Sequence, residues 1–136
     1  MRKIDDEIQA LLLEHRGDIR SILKDNHRLD LLYALSSQRE LLLEWYDFEP
    51  EAEVLQVGAD YGALTGLFRS SVRAVTVLDE TESALETVRQ RYPGAANIYY
   101  RKDSLAGYAA EACAEGKKYD YVIFAGTLTA PYEKHI

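Results

Sequence analysis

The chain has 136 residues, of which 47% are hydrophobic and 29% are charged, and its formal net charge is −7. This composition favours a globular domain with a modest core over a disordered chain. The charge is spread evenly, with 7 basic and 11 acidic residues up to Pro50 and 9 basic and 12 acidic residues after it. Because the chain has no basic block, binding to a nucleic-acid backbone is not expected. The only candidates for a local basic patch are expected to lie on a solvated surface: Arg89, Arg91, Arg101 and Lys102.

The cysteine and histidine content argues against a disulfide framework and a metal site. Cys113 is the only cysteine, so no internal disulfide can form, which fits a cytoplasmic protein. The three histidines lack metal-ligand spacing with Cys113, and we expect no bound metal. The sequence contains neither a signal-peptide pattern nor an apolar stretch of bilayer length, so no membrane span is expected.

The first 50 residues are predicted to form a helical N-terminal segment. Apolar residues recur at helical spacing from Ile4 to His15, and two shorter helical stretches follow. Ser37 and Glu40 have the spacing of a capping box, which predicts a helix over residues 38–46. The side chains expected to face inward on that helix are Leu41, Leu42 and Trp45.

After Pro50, short β-rich runs alternate with helical ones, a pattern typical of βαβ units around a parallel sheet. The predicted strands are residues 53–57, 74–78, 97–100 and 119–125. The predicted helices are one containing residues 64–68, one over 82–92 and one over 105–115. We therefore expect residues 51–136 to form an α/β unit with a partial, doubly wound parallel sheet of four strands.

The first of these strands runs into a glycine-bearing turn and then into a helix. In an open α/β sheet such a turn lies at the carboxyl end of the strand, where glycines let the backbone approach a nucleotide cofactor. A dinucleotide fingerprint requires G-x-G-x-x-G, whereas this chain has Gly58, Asp60 and Gly62, with Gly66 a further turn along. This spacing therefore disfavours a nicotinamide-dependent oxidoreductase.

The segment Val54 to Thr65 resembles motif I of class I S-adenosylmethionine (SAM) methyltransferases. That motif has an acidic residue and then G-x-G-x-G; here Gln56 occupies the acidic position and Asp60 the middle glycine. The resemblance implies a Rossmann-like sheet of order 3-2-1-4, SAM as cofactor, and a ligand crevice where the strand order reverses. It also implies that Gly58 and Gly62 allow close approach to the methionine part of the cofactor; the alternative is a tight strand-to-helix turn without a ligand.

The same resemblance assigns roles to residues that follow the other strands. Asp79, followed by Glu80, matches the carboxylate that accepts hydrogen bonds from the ribose hydroxyls; the alternative for Asp79 is a plain helix cap. Asp103, followed by Ser104, matches the acceptor for the adenine amino group, and it too has the alternative of an N-cap. The full predicted cofactor-binding set is Gln56, Gly58, Ala59, Asp60, Gly62, Asp79, Glu80, Asp103, Ser104 and Gly126.

Class I methyltransferases usually have seven strands, and the chain supplies four, so it resembles the amino-terminal portion of such an enzyme. No catalytic residue is assigned. The stretch from Leu35 to Phe48 also resembles, more weakly, a helical lead-in of methyltransferase domains associated with bacterial glycosyltransferases, which implies a small-molecule or glycan-linked acceptor. The alternative is a methyltransferase-like binding or structural module without activity. The apolar fourth strand would form a sheet edge, so we expect either a homo-oligomer or continuation into further sequence.

Overall fold

Four parallel strands form one sheet in the computed structural model, which describes residues 3–125. The strands are β1 (Glu53–Val57), β2 (Ala74–Asp79), β3 (Ile98–Lys102) and β4 (Tyr121–Phe124), and their order is β3-β2-β1-β4. This order and the α/β class confirm the fold predicted from the sequence. In register, Val57 lies opposite Leu78 on one side and Phe124 on the other, so the carboxyl ends of the three strands lie level.

Helices cover both faces of the sheet, because the strands carry apolar residues on both sides. The helices after Pro50 are α5 (Thr65–Ser71), α6 (Glu82–Arg91) and α7 (Leu105–Glu115). On one face, Phe68 of α5 and Leu85 and Val88 of α6 are fully buried against the strands. On the other face, Tyr108 of α7 packs on β1 and β2. This two-sided burial is what a doubly wound parallel sheet requires.

The N-terminal segment contains four short helices: α1 (Lys3–Glu14), α2 (Ile19–Asp25), α3 (Leu29–Leu35) and, after a 3-10 turn at Ser37–Glu40, α4 (Leu41–Glu44). The first three helices share a small core, to which one residue from beyond Pro50 contributes, the buried Tyr61. The buried members of this N-terminal core are Ile8, Leu12, Ile22, Leu31, Ala34, Leu35 and Tyr61.

The predicted helix over residues 38–46 is wrong in its cap and in its inward face. The side chain of Ser36, not Ser37, accepts the first backbone N–H, from Gln38 at 3.1 Å, and the chain then makes a 3-10 turn before one α-helical turn. A 3-10 turn rotates the chain by a different angle per residue, so the expected apolar face does not point inward. The exposed fractions of Leu41, Leu42 and Trp45 are 65%, 68% and 77%.

The other elements that were predicted with both bounds agree with the structure to within two residues at each end: the first helix, the four strands and the helices over 82–92 and 105–115. Within residues 3–125, no helix has the length and apolar character needed to cross a membrane. No group of three or more histidine, cysteine or acidic side chains in that range is arranged to hold a metal ion.

Candidate functional site: the turn after the first strand

The turn that follows β1 lies between the carboxyl ends of β2 and β4, where the strand order reverses. The Gly58 N–H donates to the carbonyl of Leu78 at 2.8 Å, and the Ala125 N–H donates to the carbonyl of Val57 at 2.8 Å. Gly58 has φ of 99°, which lets the chain leave β1 sharply. A crevice at such a switch point is the usual ligand site of an open α/β sheet.

Three successive residues of this turn have left-handed backbone: Asp60 (φ 46°), Tyr61 (φ 58°) and Gly62 (φ 76°). Glycine adopts this conformation freely, whereas each non-glycine residue held there costs about 1–3 kcal/mol. Strain of this kind persists only where surrounding contacts fix the backbone. In this chain, contacts from beneath the turn and from the N-terminal segment do so.

Gln56 fixes the turn from beneath. Its side chain is fully buried, and Nε2 donates to the carbonyls of Gly58 at 2.9 Å and Ala59 at 3.2 Å. Its Oε1 accepts from the hydroxyl of Thr65 at 2.8 Å, which ties the turn to the start of α5. The amide thus supplies N–H donors that a carboxylate lacks. This explains how the chain can have glutamine at the position where motif I of class I methyltransferases has an acidic residue.

Arg91 fixes the turn from the side and joins it to the N-terminal segment. Its guanidinium is buried and donates to three backbone carbonyls: Tyr61 at 2.9 Å, Ala34 at 3.0 Å and Leu35 at 2.7 Å. Burial lowers the pKa of Arg91 from its ordinary value, while the nearby Glu40 and Asp60 act in the opposite direction. Since a guanidinium titrates far above neutral pH, the group keeps its charge and all its donors.

Asp60 carries the acidic side chain of the turn, and it is paired with a residue of the N-terminal segment. Its Oδ2 accepts a hydrogen bond from Nη1 of Arg39, and both side chains are about 15% exposed. The Arg39 guanidinium also donates to the carbonyl of Tyr33 at 3.0 Å and lies 4.0 Å from the centre of the Tyr33 ring. The charge of Asp60, which occupies the position of the middle glycine of motif I, is therefore neutralised by another residue of the chain.

Asp79 connects the end of β2 to the turn. Its Oδ2 accepts from the N–H of Ala59 at 2.9 Å, and its Oδ1 accepts from the N–H of Thr81 at 2.9 Å, next to the start of α6. Each carboxylate oxygen retains a second lone pair for a ligand hydroxyl. Glu80, the next residue, is exposed.

At the end of β3, the capping residue of α7 is Ser104, whose hydroxyl accepts from the N–H of Gly107 at 3.0 Å. Asp103 precedes it and accepts from the Ser104 N–H at 2.8 Å, while its own N–H donates to the carbonyl of Asp79 at 3.1 Å. The backbone thus joins the ends of β2 and β3. Gly126, the last predicted site residue, lies outside the described residues.

The structure brings Asp79 and the glycine turn into direct contact and places Asp103 one strand further along. Arg39 and Arg91 contact the turn, but the sequence predicted no role for Arg39, and the expectation that Arg91 lies on a solvated surface is wrong, because its guanidinium is buried. For Arg91 a signal existed: it follows Leu85 and Val88 at helical spacing, which puts a guanidinium on the buried stripe of α6. No comparable signal marked Arg39, because its contact with Asp60 depends on how the N-terminal segment packs.

The sheet order, the glycine turn after β1 and the acid at the end of β2 together define a Rossmann-like α/β fold, and the order fits the class I methyltransferase type. Neither a protein-family profile nor a curated protein sequence matches the chain.

Among solved structures, the chain is similar to precorrin 8W decarboxylase from Methanobacterium thermoautotrophicum, with a TM-score of 0.54 and 20% identity. It is also similar to YjhP from E. coli, with a TM-score of 0.53 and 16% identity. The alignments cover 73% and 67% of this chain and 52% and 37% of those two. These likenesses establish the fold.

The chain also aligns with phosphoethanolamine N-methyltransferase 1 from Haemonchus contortus, solved with phosphoethanolamine and S-adenosylhomocysteine. The TM-score is 0.49 and the identity 22%, over 74% of this chain and 21% of that one. The chain thus spans about half the length of the precorrin 8W decarboxylase and less of the other two.

Proposed function

We propose that the chain is a SAM-dependent methyltransferase, or the cofactor-binding portion of one, acting on a small-molecule or glycan-linked acceptor. The contact that supports this most directly is the hydrogen bond between Asp79 Oδ2 and the Ala59 N–H. It holds an acid at the end of β2 against the glycine turn of β1, the arrangement expected of a site for an adenosyl ligand. The resemblance of residues 54–65 to motif I supports SAM as this adenosyl ligand.

SAM, when bound, supplies a methyl group on a positively charged sulfur; an acceptor's lone pair bonds to that carbon while the sulfur retains the electrons of the broken bond. The chain's own contribution is to hold the nucleoside and the amino-acid end of the cofactor in a fixed position. Holding the acceptor and the methyl group in register contributes about 7–11 kcal/mol in well-oriented systems, and holding the cofactor supplies only one of the two partners of that arrangement. We assign no general base and no acceptor-binding residue.

A second candidate function is a binding or structural module that has kept the fold without catalysis. The observation in its favour is that both departures from motif I are satisfied inside the chain. Gln56 bonds to the turn and to Thr65, and Asp60 is paired with Arg39. Because both groups are satisfied internally, the turn does not require a ligand to hold its shape.

Titration calorimetry with SAM, S-adenosylhomocysteine and NAD tests whether the chain binds the proposed cofactor. We expect saturable binding of the two adenosyl ligands and no binding of NAD. In a D79N variant the affinity for S-adenosylhomocysteine should fall by about tenfold or more, because a charge-assisted bond to the ribose is lost. The matched control is D47N, which makes the same substitution at an exposed aspartate outside the predicted cofactor-binding set.

Melting temperatures of both variants show whether an effect reflects folding, since Asp79 also bonds to the turn. A D79N variant that binds S-adenosylhomocysteine as tightly as the wild type would show that Asp79 is not the ribose ligand. A folded wild-type chain that binds neither adenosyl ligand would support the non-catalytic module.

We also propose that residues 1–50 form a helical segment and residues 51–136 a cofactor-binding half-domain, in a cytoplasmic protein.

Among residues 3–125, β4 pairs with β1 alone, and Val122 and Phe124 of this strand are 49% and 44% exposed. An apolar strand with one unpaired edge favours pairing with another chain. We therefore expect light scattering to give a mass above that of a monomer for the 15.4 kDa chain; a monodisperse monomer at all concentrations would contradict this.

A further inference from the structure

Two different parts of the chain hold the two halves of the turn after β1. The first half is Gly58 and Ala59. The Gly58 N–H donates to the carbonyl of Leu78 on β2 at 2.8 Å. The Ala59 N–H donates to Asp79, and Gln56 on β1 donates to the carbonyls of both turn residues. Because every one of these partners lies on the sheet, the first half keeps its shape as long as the sheet is folded.

The second half, Asp60 and Tyr61, depends on helices α1 to α3. The Tyr61 side chain is buried in the core that these helices share. The Asp60 carboxylate accepts from Arg39, whose guanidinium is itself held by the carbonyl and the ring of Tyr33 on α3. Arg91 donates both to the carbonyl of Tyr61 and to two carbonyls of α3. Moving α1 to α3 away from the turn therefore removes the packing of one residue and the ion pair of the other together.

Helices α1 to α3, here called the three-helix unit, have a core of their own. In the described part of the chain this core is separate from the two that cover the sheet, and Tyr61 is its one member from beyond Pro50. The unit docks on α6, where Gln9 donates to Ser83 and Thr87. α2 and α3 have 7 residues each, and helices of that length are stable only through packing. Parts of this kind open as one unit while the rest of a protein stays folded.

We propose that the three-helix unit is a conformational switch for the turn. When the unit is docked, it imposes the left-handed backbone of Asp60 and Tyr61; when it opens, these two residues relax while the sheet and the first half of the turn stay folded. Left-handed backbone is unfavourable for a side chain as large as tyrosine, so it persists only where surrounding contacts fix it. A partner that displaces the unit therefore changes the ligand side of the sheet without unfolding it. The switch does not depend on which ligand binds at the turn.

Amide hydrogen exchange of the full chain, followed residue by residue by NMR, reports each half of the turn separately. The N–H groups of Gly62 and Ala63 donate to carbonyls within the turn itself, so they report the second half. The N–H groups of Gly58 and Ala59 report the first half, and that of Ser36, at the end of α3, reports the three-helix unit. In wild-type protein at low urea concentrations, we expect the second half to exchange through the same opening as Ser36, and the first half only when the sheet opens.

An L31A variant tests the coupling directly, because Leu31 of α3 is fully buried in the core of the three-helix unit. The substitution should speed exchange at Ser36 and in the second half of the turn by the same factor, about 30-fold or more, and should leave the first half unchanged. The matched control is L29A, the same substitution on the same helix at a side chain that is 83% exposed. It should leave all of these exchange rates unchanged.

The switch is overturned if L31A speeds exchange at Ser36 but not at Gly62 and Ala63, because the sheet alone would then hold the whole turn. Equal acceleration of both halves would also overturn it, since the chain would then open as one unit. If L31A does not fold, the wild-type measurement decides. Exchange of Gly62 and Ala63 that follows the urea dependence of Gly58 instead of that of Ser36 contradicts the switch.

Discussion

An R91M variant is expected to lower the free energy of unfolding by about 3–4 kcal/mol, because one substitution leaves several buried backbone groups without partners. Arg91 donates to the carbonyls of Ala34, Leu35 and Tyr61, and methionine replaces its stem but none of its donors. The three losses belong to one group and are not additive, so the expected total lies below three times the value of a single bond. Urea unfolding of the wild type and of R91M measures this difference in the free energy of unfolding.

R89M is the matched control, because it makes the same substitution two residues earlier on the same helix. The side chain of Arg89 is 36% exposed and pairs with Glu82 and Glu86 at the surface. Surface pairs of this kind contribute less than about 1 kcal/mol. If R91M and R89M destabilised the chain equally, the three carbonyl bonds would not be what joins the N-terminal segment to the turn.

A G62A variant is expected to be destabilised by about 2–4 kcal/mol, because the substitution has two separate costs. Gly62 has φ of +76°, which is unfavourable for alanine. A Cβ at this position would also lie 3.2 Å from Cε2 of Tyr92 and 3.3 Å from Cδ of Arg91, both on the helix side of the turn. The second contact would push against the group that holds the turn in place.

Gly94 separates these two costs. Its φ is +71°, nearly that of Gly62, but a Cβ there meets nothing within 4 Å. G94A should therefore show only the backbone cost of about 1–2 kcal/mol in the same urea unfolding measurement. Equal losses in G62A and G94A would mean that the turn and α6 move apart at no cost, contrary to the close packing seen in the structure.

Local sequence patterns determined most of the architecture. Alternation of β-rich runs with helical periodicity fixed the four strands, their parallel arrangement and the helices between them, because side-chain burial on both faces of a sheet imposes that pattern. The resemblance to motif I then supplied the strand order 3-2-1-4 and placed Asp79 opposite the glycine turn. These predictions depended on neighbours in sequence or on one short motif.

Contacts between distant parts of the chain decided the rest. The helix expected over residues 38–46 depended on a cap at Ser37, whereas the structure has the cap at the adjacent Ser36 and leaves Leu41 and Trp45 exposed. Capping energies are small and similar for neighbouring candidates, so packing chooses between them.

At the candidate site, too, the sequence determined some features and contacts between distant residues decided the others. The sequence determined that a turn with Gly58 and Gly62 follows β1, and that Gln56 and Asp60 depart from the resembling motif. Only the tertiary structure showed that Gln56 bonds beneath the turn and that Arg39, 21 residues earlier, neutralises Asp60. Hydrogen bonds and ion pairs between remote residues have no sequence period, because they arise from the docking of one element on another, and that docking is decided by the packing of the whole chain.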